Sequence, residues 1–146
     1  MNPVTAYLRA CAKIMRIPYQ VTYDPDLLED DSLALTHYGR AYPRAQMQFA
    51  LTVPAYMGGR WTAELVRETV AHELSHLWLA RMGYVVSDAL RARCPEREVR
   101  ERYRRYVREE EWACDQIAWV IVTLLPLPGQ AVLDALCAPL GPKPGA

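Results

Sequence analysis

The sequence predicts an α+β domain: one helix, a small three-stranded sheet, two longer helices and a short last helix. Apolar residues recur at intervals of three and four along residues 4–15, 62–82 and 109–125, the period of a helix with one buried face. Residues 19–23 and 47–53 instead alternate apolar and polar, the period of a half-buried strand, and residues 33–42 read as a strand between them. At 146 residues the chain is long enough for one real core. Residues 1–138 are expected to form a single domain and residues 139–146, rich in Pro and Gly, a frayed tail.

The first helix starts at Asn2-Pro3, with Asn at the cap and Pro at the first helical position. Val4, Leu8, Cys11, Ala12 and Met15 form its apolar face, and Pro18 closes it. Asp24-Pro25-Asp26 is a turn after the first strand, and residues 27–31 are an acidic loop. Gly39 marks a bulge in the second strand, Pro43-Arg44 turns the chain, and the third strand ends at Pro54, giving a small meander. Thr62 caps a helix that runs to about Met82, where Gly83 stops it. Residues 87–95 read as irregular. A helix starts near Pro95 and breaks or bends before the helix of residues 109–125. Residues 130–137 form the last helix, set off by Pro126, Pro128 and Gly129.

Within the 62–82 helix lies His72-Glu73-Leu74-Ser75-His76, an H-E-x-x-H pentapeptide. Residues four apart stand one turn above each other, so both imidazoles can hold one Zn²⁺ and Glu73 can act as general base on its bound water. Leu65, Val66, Val70, Leu74, Leu77 and Trp78 recur around the motif at helical spacing, so a pair of ordinary core histidines is the competing explanation. The chain has three histidines, and none follows His76. A third ligand downstream is therefore a carboxylate or a thiolate.

Glu111 and Asp115 are four apart, and steps of three and four from them lead to Cys114, Ala118, Ile121, Val122 and Leu125. A carboxylate heading a core-facing stripe is costly unless paired or metal-bound. Glu111 as ligand and Asp115 as acceptor for the outer N–H of a ligating imidazole would satisfy both. A solvated acidic first turn explains Glu109 and Glu110 well and Asp115 poorly. If Glu111 is not the ligand, Asp115, Glu110 or a cysteine takes its place.

H-E-x-x-H followed by E-x-x-x-D on a later helix resembles the gluzincin metallopeptidases. The run Glu111-Trp112-Ala113-Cys114-Asp115-Gln116-Ile117-Ala118, reaching Leu124-Leu125-Pro126, is similar to the second signature of ImmA/IrrE-type peptidases. Cys114 stands where that family has Ala, and the Met before the final Pro is missing. The resemblance spans about residues 60–126. It implies a minimal zincin-like domain and a zinc peptidase with one Zn²⁺ on His72, His76 and Glu111 and with Glu73 as base. It also implies an edge strand along the cleft, for which residues 46–54 are the candidate, binding an extended protein or peptide substrate by strand addition. His37, Tyr84, Tyr103 and Tyr106 are candidates to steady the oxyanion.

Hydrophobic residues make up 51% and charged residues 23%, with a formal net charge of zero, so no global pull toward nucleic acid is expected. Arg91, Arg93, Arg97, Arg100, Arg102, Arg104, Arg105 and Arg108 interleave with Glu96, Glu98, Glu101, Glu109, Glu110 and Glu111. A solvated helix with pairs such as Glu98–Arg102 and Glu101–Arg105 accounts for them; an anion or nucleic-acid patch is the alternative. The four dispersed cysteines, with no C-x-x-C pair and no apolar leader, fit a reduced cytoplasmic protein. The longest apolar run, residues 117–125, is too short for a membrane span. The rival to a peptidase is a non-catalytic zincin-fold module with structural zinc, binding a partner or nucleic acid. A latent enzyme, whose cleft a partner or a second copy completes, is a third reading.

Overall fold

The computed structural model of the protein describes residues 1–26, 28, 31–40 and 43–138. The expected loop at 27–31, the end of the second strand at 41–42 and the tail at 139–146 lie wholly or partly outside the described residues. The chain is α+β, with four α-helices and a three-stranded mixed sheet among the described residues. None of the described helices is long and apolar enough to cross a membrane.

Helix α1 spans Pro3–Ile14, and Asn2 Oδ1 caps it by accepting from Val4 N–H at 2.8 Å and Thr5 N–H at 3.4 Å. Its expected apolar face is buried. It ends before Pro18, in a turn where Arg16 takes φ 54° and the Ile17 N–H reaches back to the Ala12 carbonyl. Strand β1 is Gln20–Tyr23, β2 is Ala34–Tyr38 and β3 is Arg44–Phe49. The Asp24 turn is present, with Asp24 Oδ1 accepting the Asp26 N–H at 3.0 Å.

The sheet is not a meander. Its order is β1-β3-β2, with β1 parallel and β2 antiparallel to β3. Residues 46–54 therefore cannot supply an edge strand, because β3 lies in the middle and is paired on both sides. The β1 edge is covered by α1: Thr5 Oγ1 accepts the Tyr23 N–H at 3.0 Å, and Arg9 donates to the Val21 carbonyl at 3.3 Å. Among the described residues no further strand pairs with the β2 edge. Leu33 pairs with Ala50 through the Ala50 N–H, so alternation turns the backbone groups of Ala34, Thr36 and Tyr38 away from β3. Val21, Ala45, Met47 and Phe49 face the core, against α1 and the helix that follows.

Helix α2 runs unbroken from Ala63 to Arg93, capped by Thr62, and α3 runs unbroken from Glu96 to Ile121. The expected stop at Gly83, the irregular 87–95 segment and the break before residue 109 are all absent. Cys94-Pro95 is the whole turn, and the two helices lie against each other as a hairpin. Packing explains the continuity: Gly83 is buried in the helix contact, where Tyr106 and Glu110 of α3 come down on it. After α3 a 3₁₀ turn, Val122–Leu124, leads to α4, Gln130–Cys137, which packs on α1. Tyr7 Oη donates to the Pro126 carbonyl at 2.9 Å and ties this end to α1.

A methyl added at Gly83 would meet Tyr106 Oη at 3.5 Å and Glu110 Oε2 at 3.6 Å, both ordinary contacts. Gly83→Ala should thus raise stability by about 0.5–1 kcal/mol, the helix-propensity gain, in chemical denaturation. A destabilised variant would show that the helix pair cannot absorb one methyl.

Candidate metal centre

The hairpin fixes the site. On α2, Val66, Val70, Leu74 and Leu77 face the core and are fully or almost fully buried, which turns His72, Glu73 and His76 toward β2 and α3. Trp78, grouped with this stripe by spacing, is 44% exposed and does not belong to it. On α3 the buried line runs through Cys114 and Ala118. Glu110, one turn before Cys114, continues it, with a side chain only 12% exposed. Glu111 and Asp115 do not head that stripe; they flank it, with side chains 52% and 67% exposed.

They nonetheless reach the histidines. His72 Nε2 lies 3.2 Å from His76 Nε2 and 3.2 Å from Glu111 Oε2; His76 Nε2 lies 3.3 Å from Glu111 Oε1. Two ligands each ~2.0–2.1 Å from a tetrahedral ion stand ~3.3–3.4 Å apart. Each of the three distances is close to that spacing, although the two that reach Glu111 end on its two different oxygens. Two imidazole lone pairs and a carboxylate turned on one point repel one another unless a proton or cation lies between them. His72, Glu73 and His76 likewise offer ligand atoms within 4.8 Å of one another, so a group able to hold a metal ion is present. The two triads share the histidine pair.

The outer nitrogens are also engaged. Asp115 Oδ1 is 2.8 Å from His72 Nδ1, as its spacing from Glu111 suggested. Glu110 Oε1 is 3.1 Å from His76 Nδ1, a role that spacing alone assigned to solvent. Each carboxylate selects the Nδ1–H tautomer and leaves Nε2 facing inward. Burial opposes charge on the His76 ring, but hydrogen bonds with Cys114 and Glu110, and the charge of Glu73, outweigh it and push its pKa up to about 10. Burial would likewise raise the Glu110 carboxyl, yet hydrogen bonds from His76 and Tyr106 hold it below the usual range. A metal must displace a proton from such a ring, so metal and proton compete here.

Glu73 is 8% exposed, and its partner comes from the sheet: Thr36 Oγ1 donates to Glu73 Oε2 at 2.7 Å. The two histidines, Glu73 and Glu111 open on a cleft of about 450 Å³ walled by β2, α2 and α3. Of the oxyanion candidates, only Tyr103 lines it. His37 sits on the opposite sheet face from Thr36, bonded to Gln48 at 3.1 Å. Tyr84 stacks edge-on with Tyr38 and lies under Arg40. Tyr106 is spent on Glu110. Tyr38, a residue the spacing did not single out, joins Tyr103 in the lining.

Two of the residues missed by spacing had signals of different strength. Glu110 falls four before Cys114, on the stripe already visible. Thr36 had none, because its partner is set by tertiary packing of β2 on α2. No protein-family profile, curated protein or solved structure matches this chain.

Both outer carboxylates should matter for metal affinity. Asp115→Asn and Glu110→Gln are each expected to weaken binding ~10–100-fold in chelator competition, with the fold kept. The more buried Glu110 should cost more than Asp115. Equal affinity in wild type and both variants would remove these residues from the site.

Proposed function

We propose that this chain is a zinc-dependent peptidase of the gluzincin kind, most like the ImmA/IrrE-type peptidases, on a zincin-like fold. One Zn²⁺ per chain is held by His72, His76 and Glu111. The observation that carries this reading is the convergence of His72 Nε2 and His76 Nε2 on the Glu111 carboxylate, one on each of its oxygens, with the Glu73 carboxylate beside them and held by Thr36.

Bound by His72, His76 and Glu111, zinc would supply a water acidified toward a pKa of ~7 and a Lewis acid for the scissile carbonyl. Thr36 occupies Glu73 Oε2, which leaves Glu73 Oε1 as the atom that would accept a proton from the attacking water and pass it to the leaving amine. Asp115 and Glu110 hold the two rings in place through the exchange. An extended polypeptide lies along the open edge of β2, pairing with the outward backbone groups of Ala34, Thr36 and Tyr38. Tyr103 or Tyr38 donates to the oxyanion. Glu111 and Asp115 are the exposed members of the cluster, and a second copy or a partner completes the cleft beside them. Four free thiols support a reducing, cytoplasmic setting.

The alternative, a non-catalytic module with structural zinc, leaves the Thr36–Glu73 pair without a task, since a structural site needs no base. On the α3 surface Glu98 pairs with Arg102 at 3.5 Å, one of the two pairs expected of a solvated helix; Glu101 and Arg105 form no ion pair among the described residues.

Elemental analysis should find about one zinc per chain, lost in the His72→Ala/His76→Ala double variant. Zinc content unchanged by that double substitution would end the metal assignment.

Glu73→Gln should keep the metal and the fold while peptide cleavage falls ~10²–10⁴-fold. Cleavage at the wild-type rate by Glu73→Gln would remove the general-base mechanism.

A further inference from the structure

Tyr103 stands in two walls at once. On one side it closes the metal cleft; on the other it lines a separate cavity of about 530 Å³ at the corner of the helix hairpin. That second cavity also holds Ser87, Arg91, Glu96 and Arg100. Arg91 comes from the last turn of α2 and Arg100 from the start of α3, and the tight Cys94-Pro95 turn brings them to one hollow. Both are exposed, and neither has an ion-pair partner among the described residues. Exposed arginines without an ion pair are common among the described residues, Arg97 and Arg104 for example; what sets Arg91 and Arg100 apart is that both line one hollow. Glu96 shares the wall but lies beyond ion-pair distance of both. The carboxyl end of α2 and the amino end of α3 meet at this corner, so their helix dipoles oppose each other and the side chains set the local charge.

The two cavities differ in charge. The metal cleft carries Glu73, Glu110 and Glu111 and no arginine or lysine among its described lining; the corner cavity carries two unpaired guanidinium groups against one carboxylate. A ligand that spans both must put its anion at the corner. We infer that the peptide cleft continues past Tyr103 into an anion subsite formed by Arg91 and Arg100. It takes an acidic side chain of the bound polypeptide, displaced along the chain from the scissile bond. Guanidinium groups suit this, since their planar fork matches a carboxylate bidentately. The inference rests on the peptidase reading and adds the substrate class: polypeptides with an acidic residue at one fixed distance from the cut.

Short alanine-based peptide hydroxamates, each with one Glu at a successive position, and their Gln twins, can be titrated calorimetrically into the zinc-loaded full chain. At one position the Glu probe should bind about tenfold more tightly than its Gln twin, the size of one charge-assisted contact at an exposed site. That preference should vanish in Arg91→Ala/Arg100→Ala, survive in part in Arg91→Lys/Arg100→Lys, and shrink as salt is raised, while the Gln probes bind every protein alike. Circular dichroism checks that the variants fold. Equal affinity of every Glu/Gln pair for the wild type overturns the subsite and leaves the peptidase reading standing, as does a preference that survives the double alanine substitution. If no hydroxamate binds the zinc-loaded protein, the peptidase reading fails and the subsite falls with it.

Discussion

The antiparallel contact between α2 and α3 is the constraint on which the centre depends. His72, Glu73 and His76 lie on one helix and Glu110, Glu111 and Asp115 on the other, with no loop residue between them in the arrangement. His72 meets Glu111 and Asp115, and His76 meets Glu110 and Glu111, so two successive turns of each helix face two of its neighbour. Side chains carried on packed helices hold their geometry better than side chains on loops, as a ligand set requires. The sheet contributes the bond from Thr36 to Glu73, which docks the β2 edge onto the same helix.

Charge explains why the cluster is built with so many partners. Four carboxylates surround two imidazoles in a space partly closed to water. Glu73 and Glu110 are the buried pair, and each has a donor: Thr36 for one, His76 and Tyr106 for the other. Left without these bonds they would carry an unpaid desolvation cost of several kcal/mol. Glu111 and Asp115 stay partly in water and need less support. The arrangement thus divides into an inner layer held by hydrogen bonds and an outer layer held by solvent.

Much of this was legible in the sequence, and what was not has a physical reason. The i,i+4 spacing of His72 and His76 and of Glu111 and Asp115 is a property of the helix alone, so those residues could be read directly. The Asn2 cap and the limits of α4 are equally local. Strand order is not local: alternation marks a strand but says nothing about its neighbours, so β3 was read as an edge when it is the centre. Gly83 was read as a stop because propensity disfavours it within a helix, whereas contact with Tyr106 and Glu110 carries α2 through it. Glu110 was given to solvent because a run of three acids looks like a polar first turn. In fact α3 begins far upstream, and residue 110 lies mid-helix on its inner line. Thr36 could not be read at all, since its task exists only once β2 meets α2.

The two-residue hairpin turn has an evolutionary corollary. Residues added or lost at Cys94-Pro95 change only how the chain reverses direction, which the flanking helices can absorb by fraying or extending. One residue added or lost within α2 between His76 and the turn, or within α3 between the turn and Glu110, is different. It rotates everything on one side of it by about 100° relative to the other side. The interface that sets the helix register and the ligand face would then point in different directions. Length variation in this lineage should accumulate at the corner and be purged from the helix interiors, so the spacing from His76 to Glu111 can drift only through changes at the turn.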